Sequence, residues 1–490
     1  MKLKLVGHEY KYAVEQIMLS LFPDEKPHYF SDPIVDSAEP IAESRLSIGD
    51  AFAQSITIIH CGDKVFRGVA RVSTEKLNGK IVTDRLLQRI IKQSFYRAAA
   101  DFIDAPPVWG SLTGIRPAHI AAPALEAGGT KSAIKTLTRD YYVSADRAQM
   151  CARAAKSSLE MKRSLSQSDI AVYVGIPFCP TRCSYCSFVS NSVEKSFQMI
   201  DPFVELLLNE VEMAGNLVRE LGLRVISIYI GGGTPTTLPP EKLKALLLQI
   251  KTSFDLSALR EYTIEAGRPD TITEKKLEIM RKLGVDRICV NPQSMSDDVL
   301  RAIGRIHTAD DARQAVSLVR QSGAVLNMDV IAGLPCDTPK GFKITLDTVL
   351  GFEPENITIH TLSLKKGSRI MLEDTPIPSG ADVGAMLEYA SLRLGESCFS
   401  PYYLYRQKFT SGGFENTGWC LPGYEGVYNI CMMEELCTVM ALGGGGVTKI
   451  ISHDNRINRI FNAKYPREYI MHAEKLEEKF ERVRGLYRNT

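Results

Sequence analysis

Between residues 170 and 361 the chain repeats one pattern, a short β-branched apolar run followed by a helical stretch. Strands are predicted at 170–175, 225–230, 261–265, 286–290, 325–331 and 356–361, with helices at 201–221, 240–253, 273–283, 309–322 and 340–350. Val225-Ile-Ser-Ile-Tyr-Ile230 is apolar at both parities, as a parallel strand covered on both faces must be. Pro240 opens a predicted helix, where its missing N–H removes no bond. Alternating strands and helices imply an α/β fold with a parallel sheet. Six strands are too few for the closed eight-stranded barrel, so the expectation is a partial parallel β/α barrel, with functional groups at the C-terminal strand ends.

The residues at those ends carry chemistry. The first strand runs through Tyr173-Val-Gly-Ile-Pro-Phe-Cys179 into Cys179-Pro-Thr-Arg-Cys183-Ser-Tyr-Cys186, spaced C-x3-C-x2-C, and aromatic Phe188 follows two residues later. Three thiolates are one fewer than a four-iron cluster normally takes, leaving one iron open to a small molecule. An open metal position separates catalytic from structural sites. Structural zinc needs a second close pair. The other cysteines, at 61, 151, 289, 336, 398, 420, 431 and 437, stand apart. Eleven cysteines in 490 residues, with no leader in view, do not read as a disulfide framework.

The second strand ends in Gly231-Gly-Gly-Thr-Pro-Thr236, where glycines permit close backbone approach. No Gly-Lys-Ser/Thr follows, so this is not a phosphate-binding loop. The third strand places Glu265 at its exit, and the fourth, Arg287-Ile-Cys-Val-Asn-Pro-Gln293, places Gln293 just beyond its end. Arg305 follows in Gly304-Arg305-Ile-His307-Thr308. The fifth buries Asp329 in an apolar run, where an acid requires a partner. Taken singly, each is as ordinary as any surface or satisfied core residue. Together, on successive strand ends, they make a site.

The cysteine loop resembles that of radical S-adenosylmethionine (SAM) enzymes, and its Ile-Pro-Phe-Cys lead-in resembles oxygen-independent coproporphyrinogen III oxidases. The likeness covers 170 to about 365 well and the C-terminal part more weakly. It implies a [4Fe-4S] cluster on Cys179, Cys183 and Cys186, with SAM on the open iron. It also implies that Tyr173, Gly232 and Glu265 contact that SAM and that Gln293, Arg305 and Asp329 contact a second SAM, with Gly233 and Thr234 as shared backbone contacts. Better-known members carry His where this chain has Gly175, and Gly has no side chain to donate or accept. The form Tyr-Val-Gly-Ile-Pro-Phe-Cys-Pro-Thr resembles a longer subtype with an extra N-terminal domain, the coproporphyrinogen dehydrogenases. The implied reaction removes hydrogen from two propionates of coproporphyrinogen III, releasing carbon dioxide and leaving the vinyls of protoporphyrinogen IX, a step of heme biosynthesis. The implied partners are the tetrapyrrole and an external one-electron donor such as a flavodoxin or ferredoxin. Heme chaperones of the same family carry a His-Asn-x-x-Tyr-Trp motif where this chain has Tyr428-Asn-Ile-Cys-Met-Met433. A radical SAM enzyme with another substrate is the remaining relative.

The expected organisation is an N-terminal α+β domain over 1–165, the partial barrel over 166–365, and a C-terminal α+β extension over 366–490 that covers the substrate. Ser55-Ile-Thr-Ile-Ile-His60 and Val65-Phe-Arg-Gly-Val-Ala-Arg-Val72 alternate as half-buried strands. Lys162–Ser168 reads as the linker. In the last region helices are expected at 382–397 and 466–485, and Arg406 and Lys408 are candidates for substrate carboxylates. Net charge +2 leaves no footprint for nucleic acid. No apolar run reaches the ~18 residues of a membrane span. A monomer in the reducing cytoplasm fits the free thiols and an oxygen-sensitive cluster.

Overall fold

The computed structural model describes residues 1–490 except 24, 31–39, 102, 104–105, 187–190, 365–367, 408–409, 453–455 and 489–490. Two compact units form, Met1–Ala152 with Gly412–Phe414, and Arg153–Ser411 with Glu415–Thr490.

The first unit holds strands β1 (Lys2–Val6), β2 (His28–Tyr29), β3 (Ile41–Ile48), β4 (Phe52–Cys61) and β5 (Lys64–Ser73), in the order β2-β1-β3-β4-β5. Alternation along β4 turns Ala53, Ser55, Thr57 and Ile59 inward. Helices Lys11–Leu21 and Lys80–Ala100 close that face with Val14, Ile17, Met18, Ile90, Ile91 and Phe95.

The second unit is one large sheet. Its strands are β6 (Asp169–Ile176), β9 (Arg224–Gly232), β10 (Glu261–Glu265), β11 (Arg287–Cys289), β12 (Val325–Ala332), β13 (Asn356–Thr361), β14 (Ser400–Arg406), β15 (Glu415–Cys420), β16 (Thr438–Gly443), β17 (Val447–Ile451) and β18 (Ile457–Phe461). A short parallel pair, β7 (Phe178–Cys179) and β8 (Asn191–Ser192), brackets the cysteine loop. The large sheet runs β14-β15-β13-β12-β11-β10-β9-β6-β16-β17-β18. All six expected strands appear as consecutive parallel neighbours. A seventh parallel strand joins them from the C-terminal region, β16 against β6. Residues beyond 366 thus extend both edges of the sheet, with β14 and β15 antiparallel at one and β17 and β18 antiparallel at the other.

The crossover helices are set by local signals. Thr308 and Asp311 make a reciprocal capping box for Ala309–Ser322, and Gly323 ends it in the left-handed region. Thr338 caps Pro339–Leu350, with proline in the first turn. Ile200–Glu220 buries Phe203, Val204, Leu207, Val211, Ala214 and Val218, a stripe of helical period. Each such fully buried branched or aromatic side chain contributes about 1.5–3 kcal/mol. In the C-terminal region the expected helix 466–485 is two helices, Pro466–Met471 and Lys475–Arg488. The expected linker begins inside a helix, since Ala145–Ser164 continues through Lys162. Among the described residues no helix is long and apolar enough to cross a membrane.

Candidate active site at the strand ends

Two loops interlock where β6 and β9 end. Gly233 N–H donates to Ile176 O (2.7 Å) and Thr234 N–H to Phe178 O (2.7 Å), which ties the glycine turn to the start of the cysteine loop. A Cβ at Gly233 would lie 2.4 Å from Phe178 O and 3.0 Å from Cys179 Sγ, so only glycine fits there. Gly232 turns the chain with φ +104°. Thr234 Oγ1 sits 3.5 Å from Cys179 Sγ. A tight turn, Cys186 N–H to Cys183 O at 3.2 Å, brings the other two cysteines near one another. Phe188 lies outside the described residues. Gly175 has a packing reason too: a Cβ there would meet Gly444 O, after β16, at 2.6 Å. The backbone of the seventh strand's exit occupies the space a side chain would need.

Two buried guanidiniums hold the cysteine loop from its other side. Arg268, 2% exposed, donates to Thr181 O (3.4 Å), Thr181 Oγ1 (3.0 Å) and Cys183 Sγ (3.8 Å), and faces Asp270 at 3.4 Å. Arg305 is 7% exposed and donates to Asn291 O (2.5 Å), Gly267 O (3.2 Å) and Tyr185 Oη (3.2 Å). Burial works against its charge, and the neighbouring Tyr185 and Cys183 more than offset that, raising its pKa. His307 is buried beside them. Burial, then the charges of Arg305 and Arg268, push its pKa down to about 3, so it stays neutral.

The remaining strand ends converge on one polar centre. Tyr229 Oη donates to Glu265, and Asn291 Nδ2 donates to its other oxygen (2.8 Å). Burial first, then the charge of Asp329, raise the Glu265 carboxyl to about 7. Gln293 takes φ +68° as its backbone bridges to β12, accepting from Ile331 N–H (3.1 Å) and donating to Asp329 O (3.0 Å). Asp329 Oδ1 accepts from Asn327 Nδ2 (3.1 Å), and Oδ2 faces His360 Nε2 at 3.4 Å.

The protonation of His360 follows from its neighbours. Thr361 N–H donates to Asn416 Oδ1 (3.1 Å), fixing that oxygen as an acceptor, and His360 Nδ1 lies 3.3 Å from it. Both ring nitrogens therefore face acceptors, an arrangement that favours the doubly protonated ring. Burial opposes the charge, but the Asp329 and Asn416 bonds and the charge of Glu265 outweigh it and raise the pKa. Beside this centre Tyr173, Tyr229 and Tyr428 stack, with Tyr229 and Tyr428 4.4 Å apart and tilted by 22°.

Of the sequence-predicted residues, Cys179, Gly232, Gly233 and Thr234 meet at one junction, and Tyr229 links Tyr173 by stacking to Glu265. Gln293 joins Asp329 through the backbone. Arg305 turns toward the cysteine loop and donates to neither of their side chains. Sequence reasoning missed Arg268, Asn291, His360, Tyr428 and Asn416. The strand-end rule could have found three of these: Arg268 follows Glu265 by three residues, Asn291 precedes Gln293 by two, and His360 stands at the end of β13. Tyr428 and Asn416 arrive by long-range pairing, which leaves no local signal.

The donor set fits a four-iron cluster with an organic ligand beside it. Two buried guanidiniums lie against the cysteine loop at Cys183, and among the described residues a single carboxylate, Asp270, is within 4.0 Å of either, a charge excess that an anionic cluster completes. Buried acceptors Asn291 Oδ1 and Gln293 Oε1 and buried donors Asn416 Nδ2 and Arg305 Nε have no partner among the described residues. Among the described residues no three His, Cys, Asp or Glu side chains gather to chelate one ion. A cluster spreads its ligands over separate irons.

Comparison with known proteins agrees with this geometry. The family model described as "Radical SAM superfamily" matches residues 173–349. The chain is 38% identical over 369 residues to the oxygen-independent coproporphyrinogen-III oxidase-like protein HemZ of Bacillus subtilis, covering 74% of each. It is 25% identical over 302 residues to the heme chaperone HemW of Escherichia coli, covering 61% of this chain and 75% of HemW. The solved structure of the E. coli coproporphyrinogen III oxidase HemN superposes with a TM-score of 0.51 at 19% identity, over 66% of this chain and 73% of HemN. That likeness is one of fold.

Proposed function

This chain belongs to the radical SAM superfamily and, within it, to the oxygen-independent coproporphyrinogen III oxidase-like proteins, and from that premise we propose that it converts coproporphyrinogen III to protoporphyrinogen IX. Membership implies a [4Fe-4S] cluster and SAM. The observation that carries the reading is the junction of cysteine loop, glycine turn and carboxylate-bearing strand ends on one sheet. Cys179, Cys183 and Cys186 would hold the cluster, and Glu265, Tyr173 and the Gly232–Thr234 turn would hold the SAM beside it. The chemistry supplied at this site would be one-electron hydrogen abstraction from an unactivated carbon.

The protein's own part is to position and to shield. The tyrosine stack excludes water from the centre and offers flat faces to a planar ligand. Asp329, which faces His360 Nε2 at 3.4 Å, accepts from ribose or amine groups of a second SAM, with Gln293 presenting its Oε1, unpartnered among the described residues, alongside. Arg305 serves that second SAM through its unpartnered Nε while its other nitrogens brace the cysteine loop. Arg406, buried at the end of β14, takes a substrate carboxylate. Residues 366–490 cover the tetrapyrrole, and a flavodoxin- or ferredoxin-like donor feeds electrons one at a time to a cytoplasmic monomer.

A heme-binding chaperone is the second reading, favoured by the identity to HemW. Against it stands Tyr428, which occupies the region of the chaperones' His-Asn motif and is buried in the stack. The deciding assay is anaerobic. Reconstituted protein, SAM, reductant and coproporphyrinogen III are followed for tetrapyrrole products and 5′-deoxyadenosine together. Protoporphyrinogen with about two deoxyadenosines per substrate supports the oxidase, one radical per propionate. Retained heme with no vinyl product supports the chaperone.

A further inference from the structure

We propose that Arg268 sets the reduction potential of the cluster held by Cys179, Cys183 and Cys186; this rests on the cluster reading above. Arg268 stands in the exit of β10, and its fork addresses the cysteine loop directly, through Thr181 and Cys183 Sγ. Arg305 donates through its Nη atoms to Asn291 O, Gly267 O and Tyr185 Oη, and its guanidinium also lies beside Cys183. The two guanidiniums are 2% and 7% exposed, and His307 beside them is 3% exposed. One carboxylate, Asp270, approaches Arg268, and among the described residues none lies within 4.0 Å of Arg305. The buried charge on this side of the loop is thus net positive.

Uncompensated buried charge is strongly unfavourable, so this arrangement is stable only with a negative partner. A thiolate-ligated cluster is such a partner, and it gains one further negative charge when it takes up an electron. A fixed cation therefore stabilises the reduced form more than the oxidised one. An N–H donor to a ligand sulfur acts in the same direction, and both are recognised levers on cluster potential. Arg268 makes the cluster easier to reduce, which widens the range of one-electron donors able to serve it. It is a positioning residue: it touches a cluster ligand and no substrate.

The test is an EPR-monitored redox titration of the reconstituted full chain, with iron and sulfide counted in every sample. Arg268→Met should shift the midpoint to more negative potential, and Arg268→Lys, which keeps the charge, should stay near the wild type. Asp270→Asn removes the opposing charge and should shift the midpoint the other way. Equal midpoints in wild type and Arg268→Met at full iron content overturn the proposal. So does an equal shift in Met and Lys, which would mean packing alone. If Arg268→Met assembles no cluster, Asp270→Asn decides: an unmoved midpoint overturns the proposal, a positive shift supports it. A wild-type chain that assembles no cluster overturns the cluster reading and this inference with it.

Discussion

Two buried charged clusters sit in the same unit and are built on opposite terms. Glu210, fully buried, receives Lys479 Nζ (2.7 Å) and Asn462 Nδ2 (2.9 Å) on one oxygen, and Gly443 N–H (2.7 Å) and Tyr469 Oη on the other. Lys479 also donates to Ala441 O (2.6 Å), so the network locks Ile200–Glu220 and Lys475–Arg488 to β16. Among the described residues, none of its four side chains has a buried polar atom without a partner. At the strand ends, by contrast, Asn291, Gln293, Asn416 and Arg305 each keep a buried polar atom without a partner among the described residues, where two guanidiniums face one carboxylate. The complete network acts as scaffold, and the incomplete one lies where the cysteine loop and glycine turn meet. The fully matched cluster pins the glycine exit of β16 against Gly175, so the scaffold ends where the site begins.

The contrast breaks first at the thiols. Cys183→Ala should abolish iron binding and deoxyadenosine formation while leaving the thermal midpoint of the apoprotein nearly unchanged; iron analysis and calorimetry report the two separately. Full iron content and activity in that variant would erase the distinction. Next in size is Lys479→Met, which leaves Glu210 buried without its cationic partner. It should cost about 3–5 kcal/mol of stability in denaturant unfolding. Its effect on turnover per folded molecule should be far smaller than that of any cysteine variant.

Smaller effects sharpen the picture. Asp329→Asn should retain the cluster and lower turnover by roughly tenfold or more, the worth of a charged hydrogen bond. The last prediction concerns pH dependence. The Glu265 carboxyl, ordinarily near 4.5, is raised to about 7. Between those values the folded state holds a proton that the unfolded state has lost, so stability falls as pH rises and levels off above about 7. Thermal midpoints measured across pH should show Glu265→Gln gaining on the wild type from about 4.5 to about 7; a constant difference would contradict the raised pKa.

Much of this was legible in the sequence because the signals are local. Period-2 and period-3.6 patterning located the six parallel strands and five crossover helices, and capping residues such as Thr308 and Thr338 mark the starts. The cysteine spacing and Gly231–Gly233 are contiguous motifs. What escaped depends on partners distant in the chain. Strand β16 is an apolar run like any other until it pairs with β6, some 270 residues earlier. The raised pKa of His360 depends in part on Asn416, 56 residues away and oriented by Thr361. Arg268 reads as a surface residue of a loop until Thr181 and Cys183 fold over it.

If three thiolates at the strand ends hold a cluster with one iron open to SAM, Mössbauer and EPR spectra of anaerobically reconstituted protein, recorded with and without SAM, will show it. About four irons per chain and a change at one unique iron on adding SAM are expected. A chain that instead binds a single zinc, or a cluster whose spectra ignore SAM, would contradict that assignment.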